Sequence, residues 1–390
     1  MEIKRLATHR CVICMILLFW QFNVSHAQSG IDRFIDFFTI YPNKLAAQQD
    51  TALYPAKIIM APVVSYSPST SLALGVGAKW LFKFKGSGDE TRTSNMPISF
   101  QYTLKNQFIL FSGFEIFSPQ EKWMLEGNII FRKFPRLYYG VGRDTPDSNE
   151  EEYEYNQVLI EPILLKQVFY RYFFLGGGFR YNRISGVEFF DPDGELANSD
   201  QFGISGSTSV GLQLAAVFDN RNNLLNSKQG WYFEFTHGFY DELFGSTSTF
   251  QLTRIDLRRF FMPFKNRGDV IAIQLKTHFS HKDVPLNEHA FFGGSEIMRG
   301  YYEGRFIERN MIAAQVEYRR DIKGRFGMVA FIGAGDVASS IDSFELSNVR
   351  PSVGFGLRFL LDKREDLNIR FDWGFGQNTN NYYLNIAEAF

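Results

Sequence analysis

Three histidines, His278, His281 and His289, fall close together in the chain, and grouped imidazoles are the first place to look for a bound metal. His278 and His281 stand three residues apart where the sequence alternates like a strand. Side chains an odd number of positions apart on a strand face opposite ways, so this pair does not close on one ion. Asp219, Asn220, Arg221, Asn222 and Asn223 offer oxygens of the kind calcium takes. They read more simply as a turn, because short amide side chains bond their own backbone. There is no Gly-x-Ser-x-Gly elbow and no phosphate-binding loop. The glycines of LGVGAKW (74–80) and LGGGFRY (175–181) suit strands that pass close to another backbone. The expectation is a protein with no metal, no cofactor and no enzymatic chemistry. Residues 291–306, FFGGSEIMRGYYEGRF, are different: five aromatics and two arginines among glycines. A cation held in such a loop is recognition chemistry and calls for a carboxylate partner.

What could position that loop depends on where the chain resides. Lys4, Arg5 and Arg10 precede a mostly apolar run at 11–22, and Ser25-His26-Ala27 follows. That order is a secretory signal peptide, expected at 1–27. The run is shorter than the ~20 residues a spanning helix needs. Both cysteines, Cys11 and Cys14, fall inside it, so the exported chain uses no disulfide framework. A formal net charge of −1 without long basic or acidic runs gives nucleic acid nothing to bind. Aromatics reach 17% of residues, with 42 Phe and 18 Tyr. An exported, aromatic-rich chain without membrane helices is either a large soluble β-protein or a transmembrane β-barrel.

Alternation supplies the elements. Ile271, Ile273, Leu275 and Phe279 oppose Ala272, Gln274, Lys276 and His278. Val210, Leu212, Leu214, Ala216 and Phe218 oppose Gly211, Gln213, Ala215 and Asp219, and Ala314, Val316 and Tyr318 oppose Gln315, Glu317 and Arg319. The period of two fixes strands with one fat and one polar face. It does not say which face meets solvent. About sixteen such segments follow one another, many near the ~9–11 residues that cross a bilayer at a tilt. Long connections alternate with short ones, apart from one long polar turn at 85–96. The pattern predicts an all-β chain: a 16-stranded antiparallel transmembrane barrel over 57–390, with residues such as Gln274 turned to water. Residues 28–56 are expected as a short periplasmic segment, either helical, with Ile31, Phe34, Ile35 and Phe38 on one face, or an unstructured leader. Counting back by twos from Phe390 gives Glu388, Ile386, Leu384 and Tyr382, a terminal aromatic barrel signal with Glu388 out of place.

Residues 291–306 resemble the sixth-loop motif of the BamA/TamA-type barrel superfamily, the bacterial surface antigen family. Gly293, Gly294 and the triplet Arg299-Gly300-Tyr301 match it. Residues 216–235, AVFDNRNNLLNSKQGWYFEF, resemble its strand–turn–strand signature through Asp219, Arg221, Gly230 and Trp231. YYGVGRDT (138–145) and VEYRRD (316–321) resemble two further segments. The resemblance implies a long sixth extracellular loop folded into the lumen, with Arg299 paired to an inward carboxylate. Glu317 has the parity for that role. Family members often carry an acid where this chain has Gly333, so the resemblance leaves Arg299 on Glu317 alone or on Asp336. It also implies periplasmic POTRA repeats, for which 28–56 is too short.

The implied role is insertion or translocation of proteins or lipids at the bacterial outer membrane, with a weakly paired seam between first and last strands. Pro62 in the first strand removes one ladder donor. Expected partners are outer-membrane lipids, and other outer-membrane or periplasmic proteins as clients or partner subunits. The alternative is a passive pore or structural surface barrel with the loop as plug.

Overall fold

The computed structural model describes residues 38–50, 53–67, 71–104, 106–264, 268–363 and 365–390. The expected signal peptide and most of the expected helical face, Ile31 to Ile35, lie outside the described residues.

The chain is all-β. The strands are β1 (Thr39–Ile40), β2 (Lys57–Ser67), β3 (Ser71–Phe82), β4 (Ser94–Thr103), β5 (Phe108–Phe117), β6 (Trp123–Tyr138), β7 (Glu151–Gln167), β8 (Phe173–Phe189), β9 (Ser207–Asp219) and β10 (Gly230–Tyr240). They continue as β11 (Phe250–Phe261), β12 (Val270–Lys282), β13 (Ala290–Phe292), β14 (Phe306–Glu308), β15 (Asn310–Lys323), β16 (Phe326–Ala338), β17 (Arg350–Asp362), β18 (Leu367–Gly376) and β19 (Thr379–Ile386). All but β13 and β14 belong to one 17-stranded sheet. Each long strand pairs antiparallel with the long strand before it in sequence, β12 passing directly to β15. β13 and β14 form a separate hairpin inside the connection between those two.

The count exceeds the expected sixteen through β1. Thr39 and Ile40 pair with Ile59 and Ile58 of β2, whose other edge is taken by Trp80 and Lys79 of β3. β1 therefore lies on the edge of β2 that faces away from β3. The described helix of this N-terminal segment is the six residues Lys44–Gln49, downstream of the face read from sequence.

Burial answers what periodicity left open. On β9, Leu212 and Leu214 are 54% and 58% exposed, while Gln213 between them is 3% exposed. β17 repeats this, with Val353, Phe355 and Leu357 outside and Ser352 and Arg358 inside. A soluble sheet buries its fat face; here the fat face is outermost, as a lipid-facing wall requires. The covered polar face differs from the expectation at Gln274. It is buried and bonded to Asp256 and Gln315 rather than facing open water. The long turn before β4 has its own anchor: Arg92 donates to Glu121 and Asp219.

Candidate functional site

The site is built where the connection between β12 and β15 returns onto the polar face of the sheet. The hairpin β13–β14 brings residues 293–305 together at its tip. Gly300 takes φ +113, and a Cβ there would stand 2.5 Å from the carbonyl carbon of Phe375. Only glycine combines that backbone with such an approach. β18 answers with its own glycine: a Cβ on Gly374 would meet the Arg299 carbonyl carbon at 2.6 Å. The Arg-Gly-Tyr triplet is thus seated on β18 backbone to backbone. The Gly300 carbonyl accepts from Asn381 (2.8 Å) and Thr379 (3.2 Å), and its N–H donates to the Tyr383 hydroxyl at 3.0 Å. Tyr301 donates to the Pro351 carbonyl at 2.8 Å, and its ring meets Phe292 edge-on.

Arg299 is completely buried. It donates to Asp372 at 2.7 Å, to Glu317 in a short contact, and to Gln315 at 3.3 Å. Its guanidinium lies 3.6 Å above the centre of the Phe331 ring. The expectation of Glu317 alone is corrected: Asp372 is the second acid. It was legible as a polar-face residue, since Asn368, Arg370, Asp372 and Gly374 share one parity of β18, but nothing local pointed it at Arg299. Asp336 is not a partner of Arg299. It takes Arg143 at 2.9 Å and Arg350 at 3.1 Å, and so ties the connection after β6 to β16 and β17. Gly333, where the family acid was expected, lies under the loop, and a Cβ there would stand 3.3 Å from the Met298 sulfur.

The network extends to the chain end. Asp372 also receives Arg358 (2.5 Å) and Arg370 (2.8 Å), and Arg358 continues to Glu388 at 2.7 Å. Glu317 receives Arg319 at 2.8 Å, which donates in turn to the Phe390 carbonyl. Buried acids and bases alternate, which is the condition for tolerating charge away from water. The expected outward alternation through Phe390 is corrected as well. Tyr382, Leu384 and Ile386 face outward, but Ala387 has φ +77 and the last residues turn in. Phe390 is buried beside Phe260, and Glu388 becomes a polar-face ligand of Arg358 and Asn368.

The turn signature forms a second cluster at the opposite rim. Arg221 clamps Asp219 with two bonds of 2.8 and 2.9 Å and stacks on Tyr232. Gly230 lies against the backbone of Asn220 and Arg221, and Trp231 faces outward under Arg259. The side-chain oxygens of Asn220, Asn222 and Asn223 accept backbone N–H groups, so they close the turn. His278 bonds the Glu288 carbonyl, while His281 is exposed. His289, in the connection, is pushed down to about 4 by burial and then by Arg309. Among the described residues, no group of three or more His, Cys, Asp or Glu is placed to hold a metal. Between loop and wall lies a cavity of about 790 Å³, lined by Glu126, Glu161, Glu234, Asp256, Arg254, Arg258 and Lys276 among others.

Residues 203–390 match the model of the Omp85 superfamily domain, a span that holds the loop triplet, Glu317, Asp372 and the turn signature. These residues belong to the Omp85 superfamily. The chain is an outer-membrane protein, in keeping with its outward apolar face. YYGVGRDT at 138–145 lies outside the matched span. Among solved structures, the chain is similar to BamA from Haemophilus ducreyi lacking POTRA domains 1-3, at 15% identity and a TM-score of 0.52, over 84% of this chain and 69% of that one. It is also similar to CdiB from Acinetobacter baumannii, at 11% identity and 0.54, over 84% and 60%. These likenesses carry the fold alone. No curated protein matches the sequence at a significant level.

Proposed function

We propose that the sheet closes as a barrel of sixteen long strands, with β2 meeting β19, and that the barrel inserts or translocates proteins or lipids at the outer membrane. The supporting observation is the buried Arg299, which joins a connecting loop to Glu317 of β15 and Asp372 of β18 at once. A loop so tied would fill the lumen and hold the last strands in register while the β2 edge stays weakly paired. Pro62 contributes no donor to that edge, and β1 covers part of it. Clients are other outer-membrane or periplasmic proteins, and lipids surround the wall. Depleting the protein and taking a census of outer-membrane proteins and surface lipids tests this reading. Broad loss of either supports it; an unchanged census rejects it.

A passive pore is the second reading, favoured by the charged cavity of about 790 Å³ beside the loop. Steady conductance of the purified protein in planar bilayers, raised by loosening the loop, would support the pore. A closed bilayer would reject it.

A further inference from the structure

A second, smaller cavity of about 120 Å³ lies beside the outer ends of β6, β7 and β8. Arg136 of β6 lines it and is 4% exposed. A guanidinium carries five donors, yet that of Arg136 makes no hydrogen bond among the described residues, and its Nε is buried without a partner. Its one acid neighbour, Glu303, stands 3.6 Å away and is itself half in solvent, too far for a hydrogen bond. The ring of Phe291 covers one face of the guanidinium at 3.9 Å. A buried cation left this way is costly unless an acceptor arrives.

The other polar groups around the cavity repeat the imbalance. Asn287 uses its oxygen to accept from Ser207, and its buried Nδ2 has no partner. The Tyr155 hydroxyl accepts from Arg132 at 3.3 Å and keeps its own proton to give. The acceptors nearby are taken: Gln157 Oε1 by Arg132, Asn182 Oδ1 by Gln157, and Glu288 by Arg180 and Asn182. Unused donors therefore line a space whose one uncommitted carboxylate among the described residues is the half-exposed Glu303.

We infer that this cavity is a binding site for a small oxyanion of the phosphate type, held by the fork of Arg136 with Asn287 and Tyr155. The planar guanidinium matches two phosphate oxygens at once. The volume suits one such group, or a few waters at ~30 Å³ each. Glu303 is the competitor: it holds Arg136 loosely when the site is empty and must give way when an anion enters.

The test uses the full chain in neutral detergent, with inorganic phosphate titrated at constant ionic strength and followed by ³¹P line broadening. Saturable broadening is expected. Arg136→Gln should weaken it roughly tenfold or more, the worth of hydrogen bonds to a charged group, and Arg136→Lys should recover only part. Glu303→Gln should bind more tightly than the unaltered chain, and as a half-exposed residue it leaves folding intact. Absence of saturable broadening in both the unaltered chain and Glu303→Gln would overturn the site and leave only ordered water. So would binding indifferent to Arg136→Gln in protein that still shows a heat-dependent gel shift. Nanodiscs of phosphatidylcholine with and without phosphatidic acid identify the source. Displacement of inorganic phosphate by phosphatidic acid assigns the site to a lipid phosphate, and no displacement assigns it to a soluble one.

Discussion

Arg319 donates to the backbone carbonyl of Phe390 at 3.0 Å, and the same guanidinium donates to Glu317 at 2.8 Å. Glu317 in turn holds Arg299. The last residue of the chain and the tip of a loop some ninety positions earlier therefore share one carboxylate. Whatever loosens the loop also loosens the chain end.

The lock predicts strong non-additivity. Arg299→Ala leaves Glu317 and Asp372 facing one another without their common cation, and should cost ~3–5 kcal/mol. Glu317→Ala and Asp372→Ala should each cost at least as much, because each acid serves more than one cation: Arg299 and Arg319 lose Glu317, and Arg299, Arg358 and Arg370 lose Asp372. With Arg299→Ala already present, either acid change should add less than it costs alone. Arg299→Lys loses the fork and should restore only part. Urea midpoints of the heat-dependent gel shift, with protease access to the loop, measure this; additive costs would mean that the pairs are not coupled.

The seat of the loop is tested at Gly374. A Cβ there meets the Arg299 backbone, so Gly374→Val must lift the triplet from β18. Protease cutting within 293–305 should rise sharply, while Phe371→Leu on the outward face of the same strand should leave it unchanged. Equal protection in both variants would reject the seating.

For the outer face, Ile332 is 61% exposed. Ile332→Arg should cost ~2–4 kcal/mol if that residue sits near the bilayer midplane; Ile273→Arg, on the same type of face, should behave alike. Ile332→Leu should be silent in the same urea titration. A tolerated arginine at both sites would mean that this face does not meet lipid.

His289 gives a pH signature. Its imidazole is held at about 4 against an ordinary value of 6.5, so the folded loop keeps it neutral. As pH falls below ~6.5, the unfolded state takes up a proton that the fold refuses, and stability drops by up to ~1.4 kcal/mol per unit until pH approaches 4. Above 6.5 neither state binds the proton and the term vanishes. Loop protection measured from pH 7 to 4 should fall less steeply in His289→Asn; identical slopes would assign the acid sensitivity elsewhere.

The β1 contact is open to cross-linking. Cys11 and Cys14 are the only cysteines in the sequence, so with both changed to serine, a Thr39→Cys, Ile59→Cys pair reports on the register Thr39↔Ile59 alone. A disulfide should form on oxidation and, if the β2 edge receives clients, should lower outer-membrane protein assembly in cells. Failure to cross-link would show that β1 does not rest on that edge.

The sequence by itself determined the strands, their two faces and the loop triplet, because a period of two and a run such as Arg299-Gly300-Tyr301 are properties of neighbouring residues. It also placed Glu317 on a polar face; it did not single out Asp372, although its parity on β18 is polar. It did not pair Arg299 with Asp372, which lies 73 positions away, because that meeting depends on the register of several strands and on where the hairpin β13–β14 delivers the loop. Nor did it separate Asp336 from Arg299, since the arginines that claim it come from the connection after β6 and from β17. At the chain end, alternation pointed Phe390 outward, and one positive φ at Ala387 reversed it. Periodicity is blind to a single backbone inversion, and only the packed structure shows that the buried carbonyl of Phe390 has Arg319 to receive.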